Sequence, residues 1–139
     1  MITKGTLWRG LKAGLETTWE LAKVIIPIYM IVTVLKYTGI IEALAKIFAP
    51  LMQLVGLPGE AAMVLAMGYT LNLYAAIGAI LSLSLSMRDI TILALMVSFA
   101  HNLFVETAVS KKAGVKIGTL VALRVGLSFL SGMILNFIL

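Results

Sequence analysis

The chain has 139 residues, 61% of them hydrophobic and 12% charged, with a net charge of +5 and a mean hydropathy of +1.08. Soluble domains run at about 45–50% apolar and about 25% charged, and a soluble fold of this size cannot bury so much apolar surface. With no cysteine and one histidine, disulfide scaffolds, thiolate or poly-histidine metal sites and zinc hydrolases of the HExxH kind fall away. The basic residues are scattered along an apolar chain, which points to membrane topology and not to nucleic acid. The expected class is an all-α polytopic integral membrane protein.

Residues 1–20 read as an interfacial amphipathic helix and residues 21–139 as a single membrane domain. Leu7, Leu11, Leu15 and Trp19 form an apolar stripe with Trp8 beside it, while Arg9, Lys12, Glu16 and Glu20 lie elsewhere. Two tryptophans on a charged helix suit the headgroup layer. These twenty residues have no apolar core, so they are not a signal peptide. Leu21–Leu35 then enters the bilayer, with Pro27 inside it. Gly39–Val55 carries Glu42, Lys46 and Gln53 along one face, which suits an interfacial or re-entrant helix. Gly56-Leu57-Pro58-Gly59 is a turn, and Pro58 with Glu60 suits a helix start.

Ala61–Met87 is free of charge for 27 residues. As one straight helix it would be about 40 Å long, against a hydrocarbon core of about 30 Å. It must tilt or break, with Gly68, Asn72 and Gly78 near the middle. A span from Ile90 to about Val109 follows, then the basic loop Lys111–Lys116, and a last span from Gly118 to Leu139. If Ala61–Met87 crosses once, there are four spans and the basic residues divide five to five. If it dips and returns, there are three spans and the division is seven to three. The positive-inside rule favours the second arrangement, with a cytoplasmic N-terminus. Nothing marks an organelle, so the expected compartment is a prokaryotic inner membrane.

Polar residues at depth in a bilayer carry the functional signal. Ser98, Asn102, Glu106 and Ser110 recur at steps of four, as one stripe of a continuous helix. Gly68-Tyr69-Thr70-Leu71-Asn72-Leu73-Tyr74 and Ser98-Phe99-Ala100-His101-Asn102-Leu103-Phe104 share the scheme small-aromatic-x-x-Asn-Leu-aromatic, 30 residues apart. In so apolar a chain this is either coincidence or a pair of segments presenting an asparagine to one midplane site. Arg124, in the last span, either snorkels to the headgroups or pairs with Glu106. Ala122/Gly126 and Ser128/Gly132 are small-xxx-small pairs that admit another helix. One histidine and one glutamate five residues apart assemble no catalytic constellation, so no enzyme is expected.

His101-Asn102-Leu103-Phe104-Val105-Glu106-Thr107, with the Lys111-Lys112-Ala113-Gly114 loop, resembles the signature of bacterial nucleoside-recognition or gate-domain membrane proteins. The Gly56–Gly59 turn and Asn72 are similar to that pattern too, and the likeness covers residues 20–135. The resemblance implies kinship with spore maturation proteins A and B, the membrane core of ferrous-iron transporters and, more distantly, concentrative nucleoside transporters. It also implies broken or re-entrant helices and about one repeat of an inverted-repeat transporter. The glutamine-threonine-glutamate signature of the nucleoside carriers is not evident here.

The expected function is transport or recognition of a small polar solute, nucleosides among the candidates, by an oligomeric half-size unit. Its partners are the lipid bilayer and a second copy or a paired membrane subunit. Asn72, Asn102 and Glu106 are the leading binding residues, with Thr70, Ser98, Thr107 and His101 secondary. No cofactor or metal is expected, a coupling proton or sodium ion aside. The alternative is a non-transporting scaffold or regulatory partner.

Overall fold

The computed structural model describes residues 3–139; the first two positions of the segment 1–20 lie outside the described residues. Seven helices account for the fold: α1 (Lys4–Tyr37), α2 (Ile40–Gln53), α3 (Ala61–Thr70), α4 (Leu73–Ser82), α5 (Met87–Ala100), α6 (Leu103–Lys112) and α7 (Ile117–Ile138). Three segments are long and apolar enough to cross a membrane: Lys4–Tyr37, Met87–Lys112 and Ile117–Ile138. The all-α membrane class is therefore as the composition requires.

Helix α1 starts at Thr3, whose hydroxyl accepts from the Thr6 N–H at 3.3 Å. It continues without a break across residues 20 and 21, so the amphipathic stretch and the first span are one rod of about 51 Å. Lys12 and Glu16, four residues apart, form a surface pair at 3.8 Å. Gly39, at φ +78°, turns the chain into α2. Both ends of α2 lie at one end of the bundle. Lys36 Nζ donates to Ser84 Oγ at 3.3 Å, placing the close of α1 beside the α4–α5 connection. Arg88, four residues later, donates to Gly56 O at 3.0 Å and to Asn136 Oδ1 at 2.5 Å. So α2 lies across this end and does not span.

The expected turn at Gly56–Gly59 is present, with Gly56 at φ +67°. A side chain at Gly59 would run into the backbone of Ala45, which is how closely α2 crosses the turn.

The charge-free run breaks at Leu71–Asn72 and folds back on itself. Residues eight apart in one helix lie about 12 Å apart along its axis, yet a Cβ built on Gly68 would lie 3.3 Å from Ala76 Cβ and 2.8 Å from Val97 Cγ1. Helices α3 and α4 are thus a hairpin whose tip faces α5. Each arm is ten residues, about 15 Å. Helix α4 runs alongside α1 in the same direction, with Gly78 against Ile25 and Ile28.

Ser86 and Asp89 form a capping box that starts α5 at Met87, earlier than Ile90. The segment is not the continuous span that the sequence suggested. It breaks at His101–Asn102, where His101 is extended and Asn102 is left-handed at φ +52°. After the basic loop, α7 returns antiparallel to α5. Gly132 sits against Met96 and Val55, and Ser128, fully buried, donates to Met96 O at 2.7 Å. The core is formed by Val32, Met52, Val55, Val64, Ile92, Leu93, Met96 and Val97. In this arrangement the start of α1 and the Lys111–Lys116 loop share one end, as in the three-span reading.

Candidate functional site

Each broken helix leaves polar backbone groups without a partner of their own, and in hydrocarbon these must be met by protein. At the first break, Asn72 supplies the solution for α4. Its backbone is extended and its side-chain oxygen accepts from the Ala75 N–H at 2.9 Å. This is an N-cap, a position that asparagine favours because its short side chain reaches the first free amides. Thr70 ends α3 with its hydroxyl donating to Ala66 O at 2.6 Å.

At the second break Asn102 takes the left-handed conformation, which asparagine tolerates better than most residues. Its side chain makes no capping bond, which leaves the amide free for another partner. Its backbone N–H donates to Gly68 O at 3.0 Å. That carbonyl belongs to the last turn of α3, so a group stranded by one break is satisfied by a group freed at the other. The two copies of the repeated motif meet through this bond.

Arg124 closes the second break from α7. Its Nε donates to Phe99 O at 2.9 Å and one terminal nitrogen to His101 O at 3.3 Å, both carbonyls at the end of α5. The other terminal nitrogen pairs with Glu106 Oε2, in the first turn of α6. One guanidinium therefore ties both sides of the break, and favours the negative end of α5 as a cation should. Of the two readings of Arg124 in the sequence, the pair with Glu106 is the one present. His101 joins from the other side, with Nε2 3.3 Å from Glu106 Oε1 and Nδ1 3.2 Å from Ser98 O.

The structure therefore gathers His101, Asn102 and Glu106, adds Arg124, and links them to the α3–α4 tip. It does not gather Ser98, whose exposed hydroxyl donates to Ala94 O of its own helix at 2.7 Å. Thr107 follows Glu106 on α6 and is half-buried. The steps-of-four stripe does not exist as such, because the helix carrying it is interrupted at its second member. The role of Arg124 at the α5 carbonyls was not visible in the sequence, since it depends on the break. The duplicated motif was the signal that could have located that break, since its first copy lies in the run that had to tilt or break.

A cavity of about 330 Å³ lies elsewhere, between α2, α3 and Phe129 of α7. Its walls include Leu44, Phe48, Met63 and Tyr69, and none of the site residues. The Tyr69 hydroxyl is engaged with Ser128 Oγ at 2.5 Å. Among the described residues no cluster of three or more His, Asp or Glu side chains could hold a metal ion.

An all-α membrane protein with two helix breaks joined by polar groups is the class that the fold and site define. Residues 18–117 match the Gate family, described as nucleoside recognition, and the chain belongs to that family. It is also 47% identical over 129 residues to the uncharacterized membrane protein YvoD of Bacillus subtilis (strain 168). That match covers 93% of this chain and 41% of the relative, so the chain spans about two fifths of the relative's length. No solved structure matches the chain.

Proposed function

We propose that this chain is half of a membrane unit that recognises and transports a small polar solute at the joined helix breaks. The observation that carries this reading is the Asn102 N–H to Gly68 O bond, which brings two helix starts and two asparagines to one level. Broken helices with polar groups at the midplane are how transporters build solute sites. Asn72, Asn102 and Glu106 are the leading hydrogen-bonding groups, with His101, Thr70, Thr107 and Ser98 secondary. Nucleosides head the panel of solutes because of the family's description. The α3–α4 hairpin is read as re-entrant, since each arm reaches only half the hydrocarbon thickness.

Polar groups at such depth avoid lipid, yet the His101 and Glu106 side chains are each 39% exposed on the single chain. A second copy, or a paired membrane subunit, completes the site in this reading. The membrane is a prokaryotic cell membrane. Lys4, Arg9, Lys12, Lys23, Lys111, Lys112 and Lys116 lie toward its cytoplasmic side, which follows the positive-inside rule. Single cysteines at positions 6 and 111 are expected to be labelled from the same, cytoplasmic side; labelling from opposite sides would refute the three-span topology.

The direct test is uptake into liposomes holding the purified protein, with nucleosides first. Saturable uptake that Glu106→Gln abolishes, in a variant of unchanged helicity, supports the reading. Wild-type uptake by that variant removes Glu106 from the pathway. One observation favours the second reading, a non-transporting scaffold: the cavity between α2, α3 and α7 is apolar and excludes both asparagines. No uptake by the wild-type protein across the panel would favour it.

A further inference from the structure

The contacts of the single histidine carry a chemical constraint. Its Nδ1 lies 3.2 Å from the Ser98 carbonyl oxygen. A carbonyl only accepts, so a hydrogen bond there requires the proton on Nδ1. In the neutral ring Nε2 is then a bare lone pair, and that lone pair faces Glu106 Oε1 at 3.3 Å. A lone pair facing a carboxylate oxygen is repulsive unless a proton lies between them. Glu106 cannot turn away freely, because its other oxygen is held by Arg124. Arg124 is anchored in turn on the carbonyls of Phe99 and His101.

We infer that His101 Nε2 and Glu106 Oε1 form a proton-binding site at the α5–α6 break, with Arg124 as its positioning residue. Without the extra proton, the glutamate, the arginine and a neutral histidine sum to zero charge. One bound proton makes the cluster +1, whichever of the two atoms carries it. The charged and titratable groups facing the ring are Glu106 from α6 and Arg124 from α7. From the hairpin, α3 brings the Gly68 carbonyl to the break, and its Tyr69 hydroxyl is turned to Ser128. Pairing at depth lets the cluster exist in either state at a cost far below that of an isolated charge. The proton sits at the junction of the two breaks, so any solute bound there shares its surroundings with it. As a coupling site this rests on the proposed transport; as a proton site it does not.

The chain holds one histidine, so nitrogen-15 histidine labelling reports His101 alone. The experiment is solid-state NMR of the labelled full chain in lipid bilayers, titrated with pH and without solute. The neutral ring is expected as the Nδ1–H tautomer, the rarer form in water, and the proton gained on acidification at Nε2. In Glu106→Gln the neutral tautomer should persist, while the Nε2 proton loses its carboxylate acceptor and the Nε2 resonance of the protonated ring shifts. A wild-type neutral ring carrying its proton on Nε2 would overturn the proposal, as would an unchanged Nε2 resonance in the variant. Should the variant not fold, carbon-13 glutamate in the wild type gives a second readout. Close dipolar contact between Nε2 and a glutamate carboxyl is expected; its absence is fatal to the site. Uptake assays are separate, so failure of transport would leave this result standing.

Discussion

The protein is built differently at its two ends. Where α1 meets α2, α2 meets α3 and α4 meets α5, six helices share a core of fully buried side chains such as Met52, Ile92, Leu93 and Met96. At the other end, where α1 begins and α6 joins α7, no residue from 3 to 20 is buried, and none of α6. The glycines record the same contrast. A Cβ on Gly68, Gly78 or Gly132 would lie 3.0 Å or less from a neighbouring helix, whereas one on Gly10, Gly14, Gly118 or Gly126 would meet nothing within 4 Å. Lipid tails are as apolar as leucine, so helices in a membrane associate through close packing and polar bonds. The contrast therefore separates the half that specifies the fold from the half that leaves surface free. The site residues lie at the boundary between them.

The comparison can be broken first at that boundary. Arg124→Leu removes the partner of Glu106 and two carbonyl contacts, and should destabilise the protein by about 1.5–3 kcal/mol, as loss of hydrogen bonds to a charged group does. Thermal unfolding in mild detergent measures it, and Glu106→Gln in the same background should restore part of the loss. Simple additivity in this double-mutant cycle would mean that the two groups are not coupled. Next in size is Gly68→Leu, which forces a side chain between Ala76 and Val97 and should cost about 1–3 kcal/mol. Ser128→Ala removes the links to Tyr69 and Met96 O and should cost about 0.6–2 kcal/mol, the range for hydrogen bonds between membrane helices. The smallest effect on the isolated chain is expected from Gly126→Leu, whose site is open. Unfolding at the wild-type temperature, together with a change in oligomeric state by light scattering, would identify the free half as an assembly surface. A Gly126→Leu chain as destabilised as Gly68→Leu would end the distinction between the halves.

Much of the architecture was legible because in a membrane a few residues govern it. The 27-residue charge-free run had to tilt or break on length alone, and Asn72 was a polar residue near its middle. The seven-to-three division of basic residues already favoured a hairpin over a fourth crossing. Gly56–Gly59 announced its turn by composition. The second break was hidden for a physical reason: His101–Asn102 contains neither glycine nor proline, and Ser98, Asn102 and Glu106 kept perfect helical spacing across it. Tertiary bonds, from Asn102 to Gly68 and from Arg124 to the end of α5, offset the conformational cost of the left-handed turn. The continuity of α1 across residue 20 was likewise invisible to local rules, since a helix passes from headgroup to hydrocarbon composition without changing its backbone. Arg124 showed its partner by depth, but its grip on the α5 carbonyls waited on the break itself.

The hairpin has a consequence for how the chain is made. Each arm is too short to span, so neither can be integrated during synthesis as a span of its own. The tip carries the carbonyl of Gly68, and its partner, the Asn102 N–H, lies about thirty residues further along. When α3 and α4 emerge from the ribosome, that partner has not yet emerged. The order of assembly therefore runs against the order of the sequence: the helices that follow the hairpin must be inserted before its tip can settle between them. A nascent chain arrested before α6 should hold the hairpin in a protease-accessible state, and one extended through α7 should protect it.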